Sequence, residues 1–176
     1  ESVRLLISED EKELTNFADH LNLKNAERRD FDQTTTAEAI EMIESDAQLM
    51  SARSTVLYKN DWHKGVVGIV ASRCIEKYYR PTIILTDSNG KISGSARSVD
   101  GFDLYEAIKS CGDLLEQFGG HTHAAGLSLL PEKLEDFKQR FEEVVSKNIS
   151  EDSLIPKIGI DLEVNFDFIN FKTLKI

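Results

Sequence analysis

Residues 117–127 carry the side chains whose types and spacing best suit the binding of an anion. Two adjacent glycines, Gly119 and Gly120, precede His121, and Gly126 precedes an apolar run. Because glycine tolerates positive φ, we expect a sharp turn here that points successive backbone N–H groups at one spot. The His121 imidazole can donate a hydrogen bond to a phosphate oxygen. The stretch predicts an anion-binding turn, and the alternative is a plain helix-to-strand turn that the histidines cap.

A second candidate site consists of Ser95 and Arg97. Alternate residues of a strand share one face, so the two side chains should lie side by side. A guanidinium donates two parallel hydrogen bonds to a phosphate, and a neighbouring hydroxyl can add a third. The pair therefore predicts a phosphate clamp, although Ser-x-Arg is a common motif.

Residues 62–73 (WHKGVVGIVASR) predict a loop that enters a helix, and helix N-termini attract anions. Residues 62–80 contain one acidic residue, Glu76, and four basic residues, which gives a local net charge of +3. The basic residues are Lys64, Arg73, Lys77 and Arg80. This basic island is either part of a binding site or a solvated helix face. Trp62 could stack on a base, and packing in the core is the alternative.

The sequence predicts no metal site. His121 and His123 are two residues apart, but no third ligand lies near them in the sequence. We also find no cluster of Asp and His suited to a two-metal phosphodiesterase, and no convincing Ser-His-Asp or Cys-His arrangement. The residues by themselves indicate a binder of anions and not a complete catalyst.

Composition restricts the class of protein. With 176 residues, 40% hydrophobic and 30% charged, the chain can form a packed core. The net charge of −10 argues against a nucleic-acid binder, but a local basic site can lie on an acidic body. Cys74 and Cys111 lack metal or disulfide spacing and are expected to be buried thiols in a reducing compartment. No signal peptide or membrane-spanning run is evident, so we expect a cytoplasmic protein that does not bind membranes.

The order of elements predicts an α/β fold with a mixed β-sheet flanked by helices. Capping boxes are expected at 8–11 and 103–106, with a break or a bend at 22–25 and a helix from 103 towards Phe118. The other expected helices are 26–50, 65–79 and 134–147, and the expected strands are 54–58, 81–86, 91–98, 127–130 and 158–166. We assign 1–51 to a helical connector, 52–147 to an α/β domain, and 148–176 to a linker and the first strand of a truncated barrel.

Four linked motifs, together with their order and separations, resemble the RecJ family of single-stranded-DNA-specific exonucleases in the DHH phosphoesterase superfamily. They are residues 62–73, 80–85 (RPTIIL), 94–98 (GSARS) and 118–126 (FGGHTHAAG). Residues 22–29 resemble the long helix that joins the two halves of the RecJ catalytic core. Residues 160–163 (IDLE) are similar to the start of the oligonucleotide-binding barrel that follows it. The resemblance covers nearly the whole chain and identifies 52–147 as the DHH-associated C-terminal domain.

The resemblance implies a 5′→3′ exonuclease of DNA repair and recombination that uses Mn²⁺ or Mg²⁺. In the family those ions are held by a preceding DHH domain, whose Asp-His-His triplet is not present here, so this piece alone is expected to be inactive. The match assigns Ser95 and Arg97 to the DNA 5′ phosphate, and it assigns Gly119, Gly120 and His121 to the cleft facing the metals.

His63 also falls on a family position, which adds it to the substrate-binding candidates with its role open. The expected partner is single-stranded DNA, with other repair proteins as further candidates, and we expect a monomer. Two alternatives stay open: a short-oligonucleotide or cyclic-dinucleotide DHH phosphodiesterase, and an α/β module with no nucleic-acid role.

Overall fold

A five-stranded mixed sheet forms the centre of the computed structural model, which describes residues 2–169 and 173. Its strands are β1 (Thr55–Tyr58), β2 (Thr82–Ser88), β3 (Lys91–Arg97), β4 (Gln117–His121) and β5 (Ala124–Leu129). Their order in the sheet is β1-β2-β3-β5-β4. β1 and β2 are parallel, and every other neighbouring pair is antiparallel. The predicted α/β fold with a mixed sheet is confirmed.

Three helices precede the sheet, and helices pack on each of its two faces. They are α1 (Ser2–Ile7), α2 (Glu11–Glu44), α3 (Ala47–Ser51), α4 (Val67–Tyr78), α5 (Leu104–Lys109) and α6 (Leu134–Asn148). Short 3₁₀ turns follow at Gly112–Leu114, Pro131–Lys133, Glu151–Leu154 and Phe166–Phe168. α4 is the crossover that two parallel strands require, because a tight turn cannot join them. In the part of the chain that is described, no helix combines the length and the apolar character needed to cross a membrane.

The alternation of side chains along the strands creates two hydrophobic cores. Leu57 and Ile84 point to the face that α2 and α4 cover, and Ile83 and Leu85 point to the face that α5 and α6 cover. On α6 the fully buried Phe137 shares its core with those two strand residues. Burying one such side chain contributes roughly 1.5–3 kcal/mol, so the sheet is fixed from both sides.

The two cysteines lie on opposite sides of the sheet. Cys74 belongs to the core beneath α4, and Cys111 belongs to the core beneath α5 and α6. Both are unpaired and buried. Burial raises the pKa of each thiol to about 11, because a thiolate would lose its hydration. The expectation that both thiols are buried is confirmed.

The main part of the connector, α2, is one continuous 34-residue helix. We expected residues 22–25 to break or bend it, but α2 passes through them without interruption. An asparagine inside a helix costs well under about 1 kcal/mol relative to alanine, and no glycine or proline is present to stop the helix. In addition, Asn25 accepts hydrogen bonds from Arg28 one turn later, at 3.0 and 3.3 Å. The second expected helix, 26–50, is therefore the end of α2 followed by the separate α3.

Two helix boundaries differ from the sequence prediction. Asp10, not Ser8, is the N-cap of α2, and its carboxylate accepts from the N–H groups of Lys12 and Glu13. Aspartate is as good an N-cap residue as serine, so the sequence offered two N-cap candidates two residues apart. The Asp103 cap is confirmed, since it accepts from the N–H of Glu106, but α5 ends at Lys109. Phe118 lies on β4, because pairing with β5 outweighs the local helical spacing.

The alternating segment at 158–166 does not form a strand. Among the described residues it has no partner strand, and a strand needs a neighbour for its backbone N–H and C=O groups. Its apolar side chains stay exposed: Ile158 is 92% and Ile160 is 84% accessible. The start of a barrel domain at this point remains a prediction.

The second half of α2 docks onto α4. Its buried residues recur at helical spacing, at Asp32, Thr35, Ala39 and Ile43. Beside this stripe, Glu38 accepts hydrogen bonds from the Trp62 indole at 2.7 Å and from the Lys59 ammonium at 2.9 Å. These contacts attach the helix to the loop that precedes α4.

We expect the contribution of Glu38 to stability to depend on pH. The hydrogen bonds from Trp62 and Lys59 hold the pKa of this carboxyl below its ordinary value of 4.5. A depressed pKa stabilises the fold fully above pH 4.5, and the contribution is lost as the pH falls through the lower folded-state value. Because the carboxylate is partly exposed, the effect should be about 0.5–1 kcal/mol.

The measurement compares the free energy of unfolding of the wild type with that of Glu38→Gln, followed by the fluorescence of Trp62, the only tryptophan of the chain. The difference should be largest above pH 4.5 and should vanish in stronger acid. Glu132→Gln, an exposed change on the opposite side of the sheet, is the matched control and should alter nothing. A difference that stays constant from neutral to acidic pH would contradict the assignment.

Candidate functional site

Ser95 and Arg97 form a preassembled donor pair on β3. The Arg97 Nη1 donates to the Ser95 Oγ at 2.7 Å and to the carbonyl oxygen of Ala96 at 2.8 Å. The expectation that both side chains share one side of a strand is confirmed. Arg97 has no carboxylate partner within residues 2–169, so the remaining guanidinium N–H groups can bind an anion. Its side chain is half-buried, which strengthens such a bond relative to one in open water.

The first turn of α4 fixes the position of this pair. A Cβ on Gly68 would lie 2.9 Å from the Arg97 Nη2 and 3.1 Å from the Ser95 Oγ, so the guanidinium fills the space that a side chain would occupy. α4 begins without a side-chain cap, because Val66 is its N-cap residue. Its unpaired N–H groups add positive potential beside the guanidinium. Sequence reasoning missed the role of Gly68, although a glycine in the first turn of a helix of β-branched residues was the available signal.

The Gly-Gly-His segment is a strand and not a turn. Gly119 and Gly120 lie on β4 opposite Gly126 and Ala125, and the turn to β5 follows His121. We expected positive φ at both glycines, but only Gly120 has it, at +152°. The expectation was wrong because neighbouring glycines indicate backbone freedom without showing whether a turn or a close strand contact uses it.

Backbone hydrogen bonds attach the turn between β4 and β5 to neighbouring segments. The Thr122 carbonyl accepts from the N–H of Leu104, and the His123 carbonyl accepts from the N–H of Ser98. These bonds tie the turn to the end of β3 and to the start of α5. They hold His121 in place although its side chain is exposed. The His121 Nδ1 accepts from the N–H of His123 at 3.3 Å, which leaves Nε2 to meet a ligand.

The strand register places these residues on one open face of the sheet, which we call the open half-sheet (β3, β5 and β4 on the side of α4). It carries three rows of residues, which are Arg97–Ala124–His121, Ser95–Gly126–Gly119 and Ser93–Ser128–Gln117. Strands lie about 4.8 Å apart, so the Cα atoms of Arg97 and His121 are about 10 Å apart. A shallow groove of about 810 Å³ lies over the part of this face at Gly119, Gly126 and the Ser93–Ser128–Gln117 row, with Lys64 on its wall. Arg97 and His121 lie beside the groove and do not line it.

His63 lies elsewhere. Its ring stacks on Phe31 of α2 with 4.8 Å between centroids, and its Nδ1 accepts from the N–H of Gly65 at 3.1 Å. It lines a separate pocket of about 390 Å³ whose charged residues are all acidic: Glu27, Asp30, Glu38 and Asp61. This position favours shaping of the loop before α4, and binding of phosphate by His63 stays a prediction.

Trp62 packs in the core. It is only 5% exposed, and its indole N–H is taken up by Glu38. Stacking on a base is therefore excluded in this conformation, and the alternative of core packing is confirmed.

Most of the basic island is neutralised by α2. Arg73 pairs with Asp32 at 3.4 Å, and Lys77 pairs with Glu44 at 2.5 Å. Arg80 is buried, bonded to Thr55 and to carbonyls at the end of α3, and burial lowers its pKa. Lys64 differs, because its ammonium donates to the Ser88 hydroxyl at 3.1 Å and has no carboxylate partner within residues 2–169. The acidic partners lie 41 and 33 residues away in the sequence, which explains why local counting overstated the island.

No three His, Cys, Asp or Glu side chains converge on a potential metal position anywhere in residues 2–169 or at 173. The His121 and His123 rings lie 6.4 Å apart, centroid to centroid, in an edge-on arrangement. A Zn²⁺ site needs three or four protein ligands, and Mg²⁺ or Mn²⁺ prefers oxygen ligands. The described residues do not fit such an ion.

The chain belongs to the DHHA1 domain family, whose model matches residues 51–147. That stretch contains the whole sheet, the Ser95–Arg97 pair and the Gly-Gly-His strand. Within the family it is a RecJ-type DHH-associated C-terminal fragment, as the following relatives show.

The chain is 38% identical over 98% of its length to the single-stranded-DNA-specific exonuclease RecJ of Bacillus subtilis. It is 34% identical over 99% of its length to RecJ of Haemophilus influenzae. It spans only 22% and 32% of these two relatives. Among solved structures, Thermus thermophilus RecJ in complex with Mg²⁺ matches 82% of the chain with 32% identity and a TM-score of 0.72, and the chain spans 22% of it. The resemblance drawn from the four sequence motifs is confirmed.

Proposed function

We propose that this chain is the nucleic-acid-binding portion of a 5′→3′ single-stranded-DNA exonuclease of DNA repair and recombination. In this proposal residues 52–147 bind the DNA 5′ phosphate and the adjoining backbone. Residues 1–51 connect them to a catalytic domain, and 148–176 lead into an oligonucleotide-binding barrel. The observation that carries the proposal is the Arg97 guanidinium, which has no carboxylate partner in residues 2–169 and is held against the Ser95 hydroxyl.

The chemistry of the pair supports a terminal phosphate as the ligand. A planar guanidinium matches two oxygens of a phosphate, while a hydroxyl and a helix N-terminus donate to the third. A terminal phosphate carries more charge than an internal one, so a desolvated cation prefers it. His121 lies in the same cross-strand row as Arg97 on the open half-sheet.

Hydrolysis in this proposal takes place on another part of a longer protein. The relatives are named exonucleases and are three to five times longer than this chain. The Thermus thermophilus RecJ structures contain Mg²⁺ or Mn²⁺. Because the described residues form no such site, the proposed role of this chain is to hold and orient the substrate. A monomeric state, a cytoplasmic location and contacts with repair proteins remain predictions from the sequence.

The test is a comparison of labelled 12-nucleotide strands bound to the full-length protein, with EDTA present to prevent cleavage. A 5′-phosphorylated single strand should bind more tightly than the 5′-hydroxyl strand and more tightly than a duplex. The logarithm of the affinity should fall with the logarithm of the salt concentration by about 0.7 per neutralised phosphate. Equal affinity for all three ligands would overturn the proposal, and preference for a dinucleotide over the 12-mer would favour a short-oligonucleotide phosphodiesterase.

Gly68→Ala should weaken binding of the 5′-phosphorylated strand without unfolding the protein. The new Cβ would displace the Arg97 guanidinium, which is the movable end of a long side chain. A partly lost charge-assisted hydrogen bond corresponds to a loss of about 3- to 10-fold in affinity. The Tm should stay the same or rise, because alanine favours a helix by up to about 1 kcal/mol over glycine.

Glu132→Gln, the exposed change on the opposite side of the sheet, serves again as the control. It should change neither affinity nor Tm. Unchanged affinity in Gly68→Ala, at any Tm, would show that the position of the guanidinium does not govern binding.

A further inference from the structure

The floor of the open half-sheet contains two glycines that the fold itself does not require. Gly119 and Gly126 face each other across β4 and β5, and both are exposed. Neither has positive φ. A Cβ on Gly119 would meet no atom within 4 Å, and one on Gly126 would meet only the Gly94 carbonyl oxygen at an ordinary 3.8 Å.

A glycine inside a strand weakens the sheet, because it loses more chain entropy and offers no side chain for packing. Backbone geometry and packing do not account for this pair. The remaining physical reason is that something outside the sheet approaches its backbone closely. The pair adjoins Ser95 in one row, so the bare floor begins beside the proposed phosphate clamp.

A second cation lies at the far end of this floor. Lys64 lines the groove and donates to Ser88, which is paired with Lys91 at the opposite end of β3 from Arg97. Six residues of strand separate the levels of Lys91 and Arg97, about 20 Å. The acidic residue of the groove wall, Glu116, is neutralised by Lys91 at 2.7 Å. Lys64 on the groove wall and Arg97 just beyond the glycine pair therefore both lack a carboxylate partner within the described residues. The floor between them consists of the two glycines and the short polar row of Ser93, Ser128 and Gln117.

We propose that the open half-sheet is a track for a single-stranded nucleic-acid backbone, which begins at Arg97, crosses the glycine pair and reaches Lys64. This rests on the proposed function and adds a second phosphate position to it. Stacked nucleotides rise about 3.4 Å each, so Lys64 meets a phosphate at most about six nucleotides from the 5′ end, and fewer when the strand is extended. Lys64 thus contributes to affinity only when the ligand is long enough to reach it, whereas Arg97 contributes to the affinity for the terminal phosphate.

The experiment measures binding of a 5′-phosphorylated dinucleotide and a 5′-phosphorylated 12-mer to the full-length protein in EDTA. Lys64→Ala should leave the affinity for the dinucleotide unchanged. It should lower the affinity for the 12-mer by about 4-fold at 150 mM salt and 8-fold at 50 mM salt, the loss of one counterion-releasing contact. Lys138→Ala, which removes a partly exposed, ion-paired lysine of α6 on the other side of the sheet, is the control and should affect neither ligand.

Gly126→Ala tests the floor independently of charge. The Tm should not fall, because the Cβ has room, and binding of the 12-mer should weaken by at least about 3-fold because the backbone cannot approach as closely. If Gly126→Ala binds the 12-mer as tightly as the wild type does, the proposed track is wrong.

The results separate the track from the proposed function. If Lys64→Ala changes nothing, or weakens the dinucleotide as much as the 12-mer, the track is wrong while the phosphate clamp stands. If Arg97→Ala also leaves the 5′-phosphate preference intact, the proposed function itself fails.

Discussion

Arg97→Lys is expected to lose nearly as much affinity for a 5′-phosphorylated single strand as Arg97→Ala. An ammonium keeps the charge but cannot make two parallel hydrogen bonds while also donating to Ser95. Loss of a charge-assisted hydrogen bond amounts to about 1.5–3 kcal/mol, or roughly 10- to 100-fold in affinity. The measurement is a set of binding curves for wild type and both variants in the full-length protein, with and without the 5′ phosphate.

The loss should be large for the phosphorylated strand and small for the 5′-hydroxyl strand. Arg140→Lys is the matched control, because Arg140 lies on α6 and is paired with Asp113, away from the open half-sheet. It should bind like the wild type. Equal losses on both ligands for Arg97→Ala would make Arg97 a general backbone contact and would remove the clamp.

Gly120→Ala should strongly destabilise the fold, whereas Gly119→Ala should not. A Cβ at Gly120 would overlap the carbonyl oxygen of Ala124 and lie 2.5 Å from the Cα of Ala125, at a φ of +152°. The backbone conformation contributes about 1–3 kcal/mol, and the overlap contributes a similar amount. For a chain of this size the Tm should fall by about 10 °C.

Gly119→Ala supplies the comparison on the same strand. Its Cβ has open space and its φ is not positive, so the Tm should change little. Thermal unfolding followed by circular dichroism measures both variants. A similar small change in both would mean that the hairpin can shift to accept a side chain at Gly120.

The sequence predicted most elements of the central domain because their signals are local. Asn89 and Gly90, a residue pair typical of hairpin turns, connect β2 to β3 with φ values of +54° and +75° that few other residues adopt. The apolar face of α6 follows from the spacing of Phe137 and Phe141, which are both fully buried. The Ser95–Arg97 pair follows from the two-residue period of a strand.

The errors concern features that distant residues decide. Phe118 has helical spacing from Leu115, but it lies on β4 because its backbone pairs with β5. Local sequence offers Arg73 and Lys77 only one acidic neighbour, but in the fold they pair with Asp32 and Glu44 of α2. The groove could not be predicted at all, since it depends on which half of the sheet α4 leaves uncovered.

Because α2 is one continuous helix, a small rotation at its docked end produces a large displacement at its other end. Its 34 residues extend about 50 Å, and only the second half carries buried docking residues. With no hinge at 22–25, a tilt of about 5° at the docked half moves the far end by about 4 Å, given a rise of 1.5 Å per residue. Because α2 is continuous, anything attached to its first half is held at a distance from Arg97 that the docking of its second half determines. Small changes in how Ile43 and Ala39 pack would shift the attached part by more than a hydrogen bond tolerates.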